Sequence, residues 1–156
     1  MSQNTANTNA NAANSMFCFQ CEQTAGCTGC TTAGVCGKSA MTAKLQDTLT
    51  GALIALANTT TTACSNKNSN HNLTAVLMDE INHLILEGLF TTITNVNFDD
   101  ASIKNLTARI HAAATKTANA CNVSIVSDYD MNNIWNANED IRSLKSLILF
   151  GVRGMA

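Results

Sequence analysis

The chain has 156 residues, seven cysteines, no proline and a formal net charge of −2. Charged residues make up 13%, about half of the usual quarter. Because the net charge is negative, the sequence has no basic field of the kind that binds nucleic acid. The length suits one domain that can bury a core, and a hydrophobic fraction of 46% argues against disorder throughout. Because proline is absent, long helices are favoured over a turn-rich all-β fold.

The first 15 residues, MSQNTANTNANAANS, form an uncharged tract that predicts a disordered tail. The tract has neither the apolar core of a signal peptide nor the arginines of a mitochondrial presequence. An uncharged stretch at 48–66 is interrupted by Asn58 and four threonines, which makes it a poor membrane span. We therefore expect neither a membrane nor a nucleic acid as a partner.

Three helical patterns follow a cysteine-rich loop at 16–38. The first runs from 39 to about 58 and is followed by a polar loop at 59–71; the second runs from about 72 to 95. The third begins at Asp99-Asp100, which are good N-cap residues, and reaches about Ala120. The positions predicted to face the core are Met41, Leu45, Leu49, Ala52, Leu53, Leu56, Leu73, Val76, Leu77, Ile81, Leu84, Ile85, Phe90, Ile93, Ile103, Leu106, Ile110, Ala113 and Thr117.

The rest of the chain predicts an irregular linker and one further helix. Residues 121–136 have no clear periodicity, with a short strand at 123–126 as one option. A helix then begins near Asn138, and its apolar face comprises Ile141, Leu144, Leu147, Ile148 and Val152. Residues 45–49 align with 144–148 at an offset of 99, either by chance or because a three-helix unit is duplicated.

Under duplication, the fold is all-α, with one complete bundle and the start of a second, pseudo-repeated one. The predicted divisions are a tail at 1–15, a cluster-binding loop at 16–38, a first bundle at 39–121, a linker at 122–137 and the first helix of a truncated second bundle at 138–156. Such a half-built bundle would expose an apolar face, so we expect the front part of a longer protein.

Five of the seven cysteines lie between Cys18 and Cys36, whereas Cys64 and Cys121 stand alone. A disulfide framework usually spreads over a whole fold, so one tight cluster favours a metal site in a reducing compartment, the cytoplasm. Cys64 is predicted to be a loop thiol and Cys121 a small apolar residue at a helix end.

The spacing C-x2-C-x8-C-x5-C offers four thiolates, from Cys18, Cys21, Cys30 and Cys36. Four thiolates satisfy a [4Fe–4S] cluster or a tetrahedral zinc ion. A rival set uses Cys27 in place of Cys36. Spacing favours iron–sulfur over zinc and leaves disulfides or free thiols as a third interpretation. The predicted surroundings are Gly26, Gly29, Gly34 and Gly37, which permit tight turns, and Phe17, Phe19 and Val35, which form an apolar shell.

The run MFCFQCEQTA…GC…GVCGK, followed by a Leu-Gln-Asp helix, resembles the N-terminus of the hybrid cluster protein (prismane) family, whose members are called hydroxylamine reductases. Residues 89–99, LFTTITNVNFD, and residues 138–144, NEDIRSL, resemble two further segments of that family. The resemblance extends in order from residue 16 to residue 156, which is all of the chain except its tail.

The resemblance implies that Cys18, Cys21, Cys30 and Cys36 bind a proximal [4Fe–4S] cluster and that Cys27 is a spare thiol. The resemblance further implies reduction of hydroxylamine to ammonia and water with electrons from a redox donor protein, and nitric oxide reduction is a related proposal for the family. Their catalytic hybrid iron–sulfur–oxygen cluster is held by His, Glu and Cys ligands of later domains. No such ligand motif occurs in these 156 residues, so no catalytic residue is assigned and the chain alone is expected to be inactive.

Two alternatives stay open: an iron–sulfur electron-transfer protein that stands alone or belongs to a split enzyme, and a zinc-stabilised helical interaction module. The histidines suggest no further site. His71 is predicted to be a loop residue, and His83 and His111 to be helix-surface or hydrogen-bonded core residues. Glu80 and His83 form an E-x-x-H pattern, but without a second copy this is interpreted as coincidence.

Overall fold

A computed structural model describes residues 16–18, 29–66, 73–93 and 96–156. These residues form five helices: α1 (Ala40–Ser65), α2 (Ala75–Thr91), α3 (Asp100–Cys121), α4 (Asn132–Trp135) and α5 (Glu139–Arg153). The β pairing found in the described residues is a single bridge between Cys18 and Cys30. The predicted all-α class is therefore confirmed. None of the described helices is long and apolar enough to cross a membrane.

Helices α1, α2 and α3 pack together around one core, as their periodicity predicts. The buried core residues are Leu49, Ala52, Leu53, Leu56, Leu77, Ile81, Leu84, Ile103, Leu106, Ile110, Ala113 and Ala114. Thr117 is also fully buried, so every predicted inward position of α3 is confirmed. Val76 is also predicted to face the core, but its side chain is not among those that the structure describes. Burying these side chains removes apolar surface from water, which is the main favourable contribution to folding.

The prediction that Met41 and Phe90 face the core is wrong, since their side chains are 55% and 53% exposed. The buried face of α1 passes through Thr42 and Gln46 before it reaches the leucines, and that of α2 passes through Gly88 near its end. Polar residues and glycine therefore occupy inward positions that a hydrophobic pattern overlooks. The neighbouring large apolar residues point outward as a result.

Helix α1 is also longer than predicted, because it continues through residues 59–65. The hydroxyls of Thr60, Thr61 and Thr62 donate to the carbonyls four residues earlier at 2.8, 2.8 and 2.9 Å. These bonds satisfy the hydroxyl groups within the helix, so the threonine run does not end it. Cys64 consequently lies on a helix and is exposed, and its assignment to a loop is wrong.

The starts of α2, α3 and α5 are set by side-chain caps. Asp99 accepts from the amide of Ala101 at 2.9 Å, and Asn138 accepts from the amide of Asp140 at 2.9 Å, which confirms both predicted starts. Helix α2 is shorter than its predicted span; it begins after the cap Thr74, and residues 72, 94 and 95 lie outside the described ranges.

The linker between α3 and α5 contains no strand at 123–126 and instead includes the short helix α4, which the sequence did not predict. The amide of Tyr129 donates to the carbonyl of Gly51 at 3.2 Å. A Cβ on Gly51 would lie only 2.4 Å from the carbonyl oxygen of Tyr129, so this approach requires glycine. The linker and α4 then bury Met131, Ile134 and Trp135 as a second small core.

Helix α5 exposes the apolar face that the sequence predicts. Within α5, all of whose residues are described, Arg153 alone is classed as buried. The exposed members of the apolar face are Ile141, Leu144, Leu147, Ile148 and Val152, which are 37–67% exposed. The expectation of an exposed apolar face is therefore confirmed, whereas the duplication and the predicted domain divisions stay predictions.

Candidate metal centre

Two of the predicted ligands, Cys18 and Cys30, face each other across the isolated bridge. The Cys18 amide donates to the Cys30 carbonyl at 3.0 Å, and the Cys30 amide donates to the Cys18 carbonyl at 2.9 Å. In such an antiparallel pair the Cα atoms lie about 5.5 Å apart and the side chains leave the same face. Both residues are buried. The chain thus places two thiols side by side in a protected position.

The third predicted ligand, Cys36, lies in a tight turn just before α1. The Gly34 amide donates to the Lys38 carbonyl at 2.8 Å, and the Gly37 amide donates to the Gly34 carbonyl at 2.9 Å. A Cβ on Gly34 would lie 2.9 Å from Lys38 Cβ and 3.1 Å from Cys36 Sγ, and Gly37 has a φ of 90°. Glycine is therefore required at both positions, as the cysteine-loop pattern predicts.

The described residues include three of the four predicted ligands, Cys18, Cys30 and Cys36, and do not by themselves form a complete set. Cys21 and Cys27 lie outside the described residues, as do Phe19 and Gly26. Among the residues that are described, no group of three His, Cys, Asp or Glu side chains is placed to hold a metal ion. The described cysteines are all free thiols, so no disulfide forms between them. Of the predicted apolar shell, Phe17 packs against Trp135 with their ring centres 5.5 Å apart. Val35, by contrast, is 60% exposed.

A buried lysine lies beside these cysteines, and sequence analysis did not single it out. Lys38 is 2% exposed, and its Nζ is 4.0 Å from Cys18 Sγ. The ammonium donates to Gln46 Oε1, and Gln46 Nε2 donates to the Asn97 carbonyl at 3.0 Å. The one feature of the sequence that pointed to Lys38 was its position directly after the Gly-Val-Cys-Gly turn.

A buried ammonium costs several kcal/mol unless negative charge compensates it. Anionic thiolates at Cys18 and its neighbours supply that charge when they hold a metal centre. The paired cysteines, the glycine-dependent turn at Cys36 and the buried cation therefore fit a thiolate-ligated cluster.

A second buried cation reaches the same region from α5. Arg153 donates to Thr92 Oγ1 at 2.8 Å and to Thr50 Oγ1 at 3.2 Å. Burial lowers the pKa of Arg153, while the charges of Asp47 and Cys18 oppose that change. Hydrogen bonds to α1 and to the end of α2 therefore fix the position of this buried guanidinium.

Asp47 completes this charged region. Burial raises the pKa of its carboxyl from 3.8 to about 6, against the opposing effects of a Trp135 hydrogen bond and the charges of Arg153 and Lys38. The Trp135 indole N–H donates to Asp47 Oδ2 at 3.0 Å. The carboxyl of Asp47 is therefore partly neutral near pH 6.

Comparison with known proteins assigns the family. The model of the Prismane/CO dehydrogenase family matches residues 16–155, which is nearly all of the chain. The chain belongs to this family.

Curated relatives that are similar to this prismane-family chain are named hydroxylamine reductase. The protein of Acetivibrio thermocellus is 39% identical over 158 residues, which cover 91% of this chain and 28% of the relative. The proteins of Maridesulfovibrio salexigens and Methanocella arvoryzae are each 36% identical to this chain. Each alignment covers 90% of this chain, and it covers 28% and 29% of the length of the two relatives. The chain thus spans less than a third of the length of these relatives.

The two described histidines and Glu80 make ion pairs on the surface. His83 lies 3.8 Å from Glu87, and His111 lies 2.9 Å from Asp128, both on the surface. Glu80 pairs with Lys116 at 2.6 Å, so the E-x-x-H pattern forms no site with His83. Cys121 is fully buried at the end of α3, as predicted. His71 lies outside the described residues.

Proposed function

We propose that residues 16–38 hold a [4Fe–4S] cluster on Cys18, Cys21, Cys30 and Cys36, and that the chain is the electron-transferring front part of a hydroxylamine reductase. The pairing of Cys18 with Cys30 beside the buried Lys38 carries this proposal. Membership of the prismane family and the names of the curated relatives support it. The assignment of Cys21 rests on the cysteine spacing and on the family resemblance.

A [4Fe–4S] cluster supplies one-electron transfer. The residues of this chain would bind it through four thiolates, enclose it with the turn at Gly34 and Gly37, and limit the access of water. Electrons would enter from a redox donor protein. Reduction of hydroxylamine, NH2OH + 2e⁻ + 2H⁺ → NH3 + H2O, would take place at a hybrid cluster held by ligands that this chain does not contain.

Anaerobic reconstitution with iron and sulfide tests the ligand assignment. We expect about four iron and four labile sulfide per chain, with an electron paramagnetic resonance signal after reduction. Cys36→Ser should abolish the cluster, because serine replaces a thiolate ligand. Cys27→Ser and Cys64→Ser serve as matched controls that should retain it. Loss of the cluster in Cys27→Ser but not in Cys36→Ser would favour the rival ligand set.

The alternatives make different predictions in the same preparation. One zinc per chain without labile sulfide would contradict the proposal and favour the zinc-stabilised module. A cluster-loaded chain that exchanges electrons but reduces no hydroxylamine agrees with the proposal and equally with an electron-transfer protein that stands alone or belongs to a split enzyme. Hydroxylamine turnover by the 156-residue chain alone would contradict the expectation that the catalytic ligands lie elsewhere.

A further inference from the structure

The backbone of Lys38 is fixed on both sides, by the turn before it and by the helix start after it. The Lys38 carbonyl accepts the Gly34 amide at 2.8 Å, which closes the turn that carries Cys36. The next residue, Ser39, caps α1 by accepting the Thr42 amide at 3.0 Å. Since the turn and the helix start are both fixed, the buried side chain of Lys38 has a defined origin and little room to move.

Gln46 orients the far end of this side chain. It is fully buried, its carbonyl oxygen accepts from Lys38, and its amide nitrogen donates to the Asn97 carbonyl. Turning the amide over would place its N–H group against the ammonium and its oxygen against a carbonyl. The arrangement therefore admits one orientation of Gln46, and this orientation holds the ammonium 4.0 Å from Cys18 Sγ.

We propose that Lys38 sets the reduction potential of the cluster, by holding a positive charge and an N–H donor against Cys18, with Gln46 as its positioning residue. This inference rests on the proposed function, in which Cys18 is a cluster ligand. Reduction adds one electron to the cluster without breaking a bond. The reduced form carries one more negative charge, so a fixed cation beside a ligand sulfur stabilises it more than the oxidised form and raises the potential.

Burial makes this charge effective. Lys38 is 2% exposed, whereas Lys44 on α1 is exposed to solvent, where water and salt screen its charge. Removal of the positive charge at these two positions therefore has different expected effects, although both substitutions change the net charge by the same amount. Lys44→Met is the matched control for Lys38→Met.

The test is a potentiometric titration of the anaerobically loaded chain, followed by electron paramagnetic resonance. We expect Lys38→Met to contain as much iron and sulfide as the parent. At the potential where the parent is half reduced, its ratio of reduced to oxidised cluster should be about tenfold lower, a shift of about 59 mV for one electron. Lys38→Arg should retain most of the parent potential, and Lys44→Met should leave it unchanged.

Gln46→Glu provides a second, independent variant. A carboxylate at this position would cancel the charge of Lys38 without removing its stem, so we expect a lower potential than in the parent. If Lys38→Met does not load, Gln46→Glu decides: a lowered potential supports the role of Lys38, and the parent potential overturns it. Failure of both variants to load would also overturn it, because Lys38 would then be needed for assembly.

The result separates this inference from the proposed function. A parent chain that binds no iron and sulfide would contradict the proposed function itself. A loaded parent, with Lys38→Met and Gln46→Glu at the same potential as the parent, would overturn the role of Lys38 and leave the proposed function intact.

Discussion

Helices α3 and α5 carry similar sequence patterns, but α3 buries its apolar face whereas α5 exposes it. Both begin at a side-chain cap and have apolar residues at steps of three and four. In α3, Ile103 and Ile110 are fully buried, whereas in α5, Leu144 and Leu147 are 59% and 67% exposed. Periodicity therefore identifies the face that can pack against a partner, but it does not establish that the partner is present.

The cationic residues of the two helices are also placed oppositely, outside on α3 and inside on α5. The charged residues of α3 pair on the outside, for example Arg109 with Glu87 at 2.8 Å. Helix α5 instead places its cations inward: Arg153 binds Thr92 and Thr50, and Arg142 lies 5.5 Å from the centre of the Phe17 ring. Leu149 adds an apolar contact with the second small core, while Leu144 and Leu147 point to solvent.

The largest expected difference comes from truncating one residue on each helix. Ile110→Ala should lower the free energy of unfolding by about 2–5 kcal/mol, because it leaves a cavity in the main core. Leu147→Ala should change it by only about 0.5 kcal/mol in the 156-residue chain, because that side chain has little contact to lose. Urea denaturation followed by circular dichroism measures both. Comparable losses would show that the face of α5 is covered in solution.

The contrast also indicates how far sequence alone can predict this molecule. The caps Asp99 and Asn138 and the core of α3 were predictable, because capping chemistry and helical periodicity are local properties. The extension of α1 through Thr60 was not, since threonine is more typical of loops and its bond to the Leu56 carbonyl becomes visible only in the helix.

Long-range packing accounts for what sequence reasoning missed at the site. The cysteine spacing suggested ligands, and the structure pairs Cys18 with Cys30. The burial of Lys38 depends on Gln46 and Asn97, which lie further along the chain on and beyond α1. A lysine in a glycine-rich turn reads as an exposed charge until these partners are known. Arg153 was missed for the same reason.

Two helical glycines provide the second test. Gly51→Ala should destabilise the chain by about 3 kcal/mol, because its Cβ would meet the Tyr129 carbonyl oxygen, a backbone atom that cannot easily move. Gly151→Ala should instead stabilise it by up to about 1 kcal/mol, since nothing lies near its Cβ and alanine favours the helix. Thermal unfolding of both variants measures the difference. A loss of stability in Gly151→Ala would contradict the open environment of α5.

The smallest expected effect concerns the polar region beneath α5, at Asp47. Its pKa is raised from 3.8 to about 6 by burial, so the folded state holds a proton that the unfolded state has already lost between about pH 4 and 6. Stability therefore falls as the pH rises through this interval and stays lower above it. An asparagine side chain at this position would remain neutral and could still accept the Trp135 hydrogen bond.

Asp47→Asn should consequently match the parent near pH 4 and exceed its free energy of unfolding by about 2 kcal/mol at pH 7, because partial exposure of Asp47 reduces the roughly 3 kcal/mol that the full pKa shift would give. Urea denaturation of the cluster-free parent and variant at intervals from about pH 4 to 7.5 measures this difference, and exposed Asp79→Asn on α2 serves as control. A difference that stays constant across the range would mean that Asp47 titrates normally. It would also weaken the distinction between α3, whose cations pair on the surface, and α5, whose Arg153 lies buried near this carboxyl.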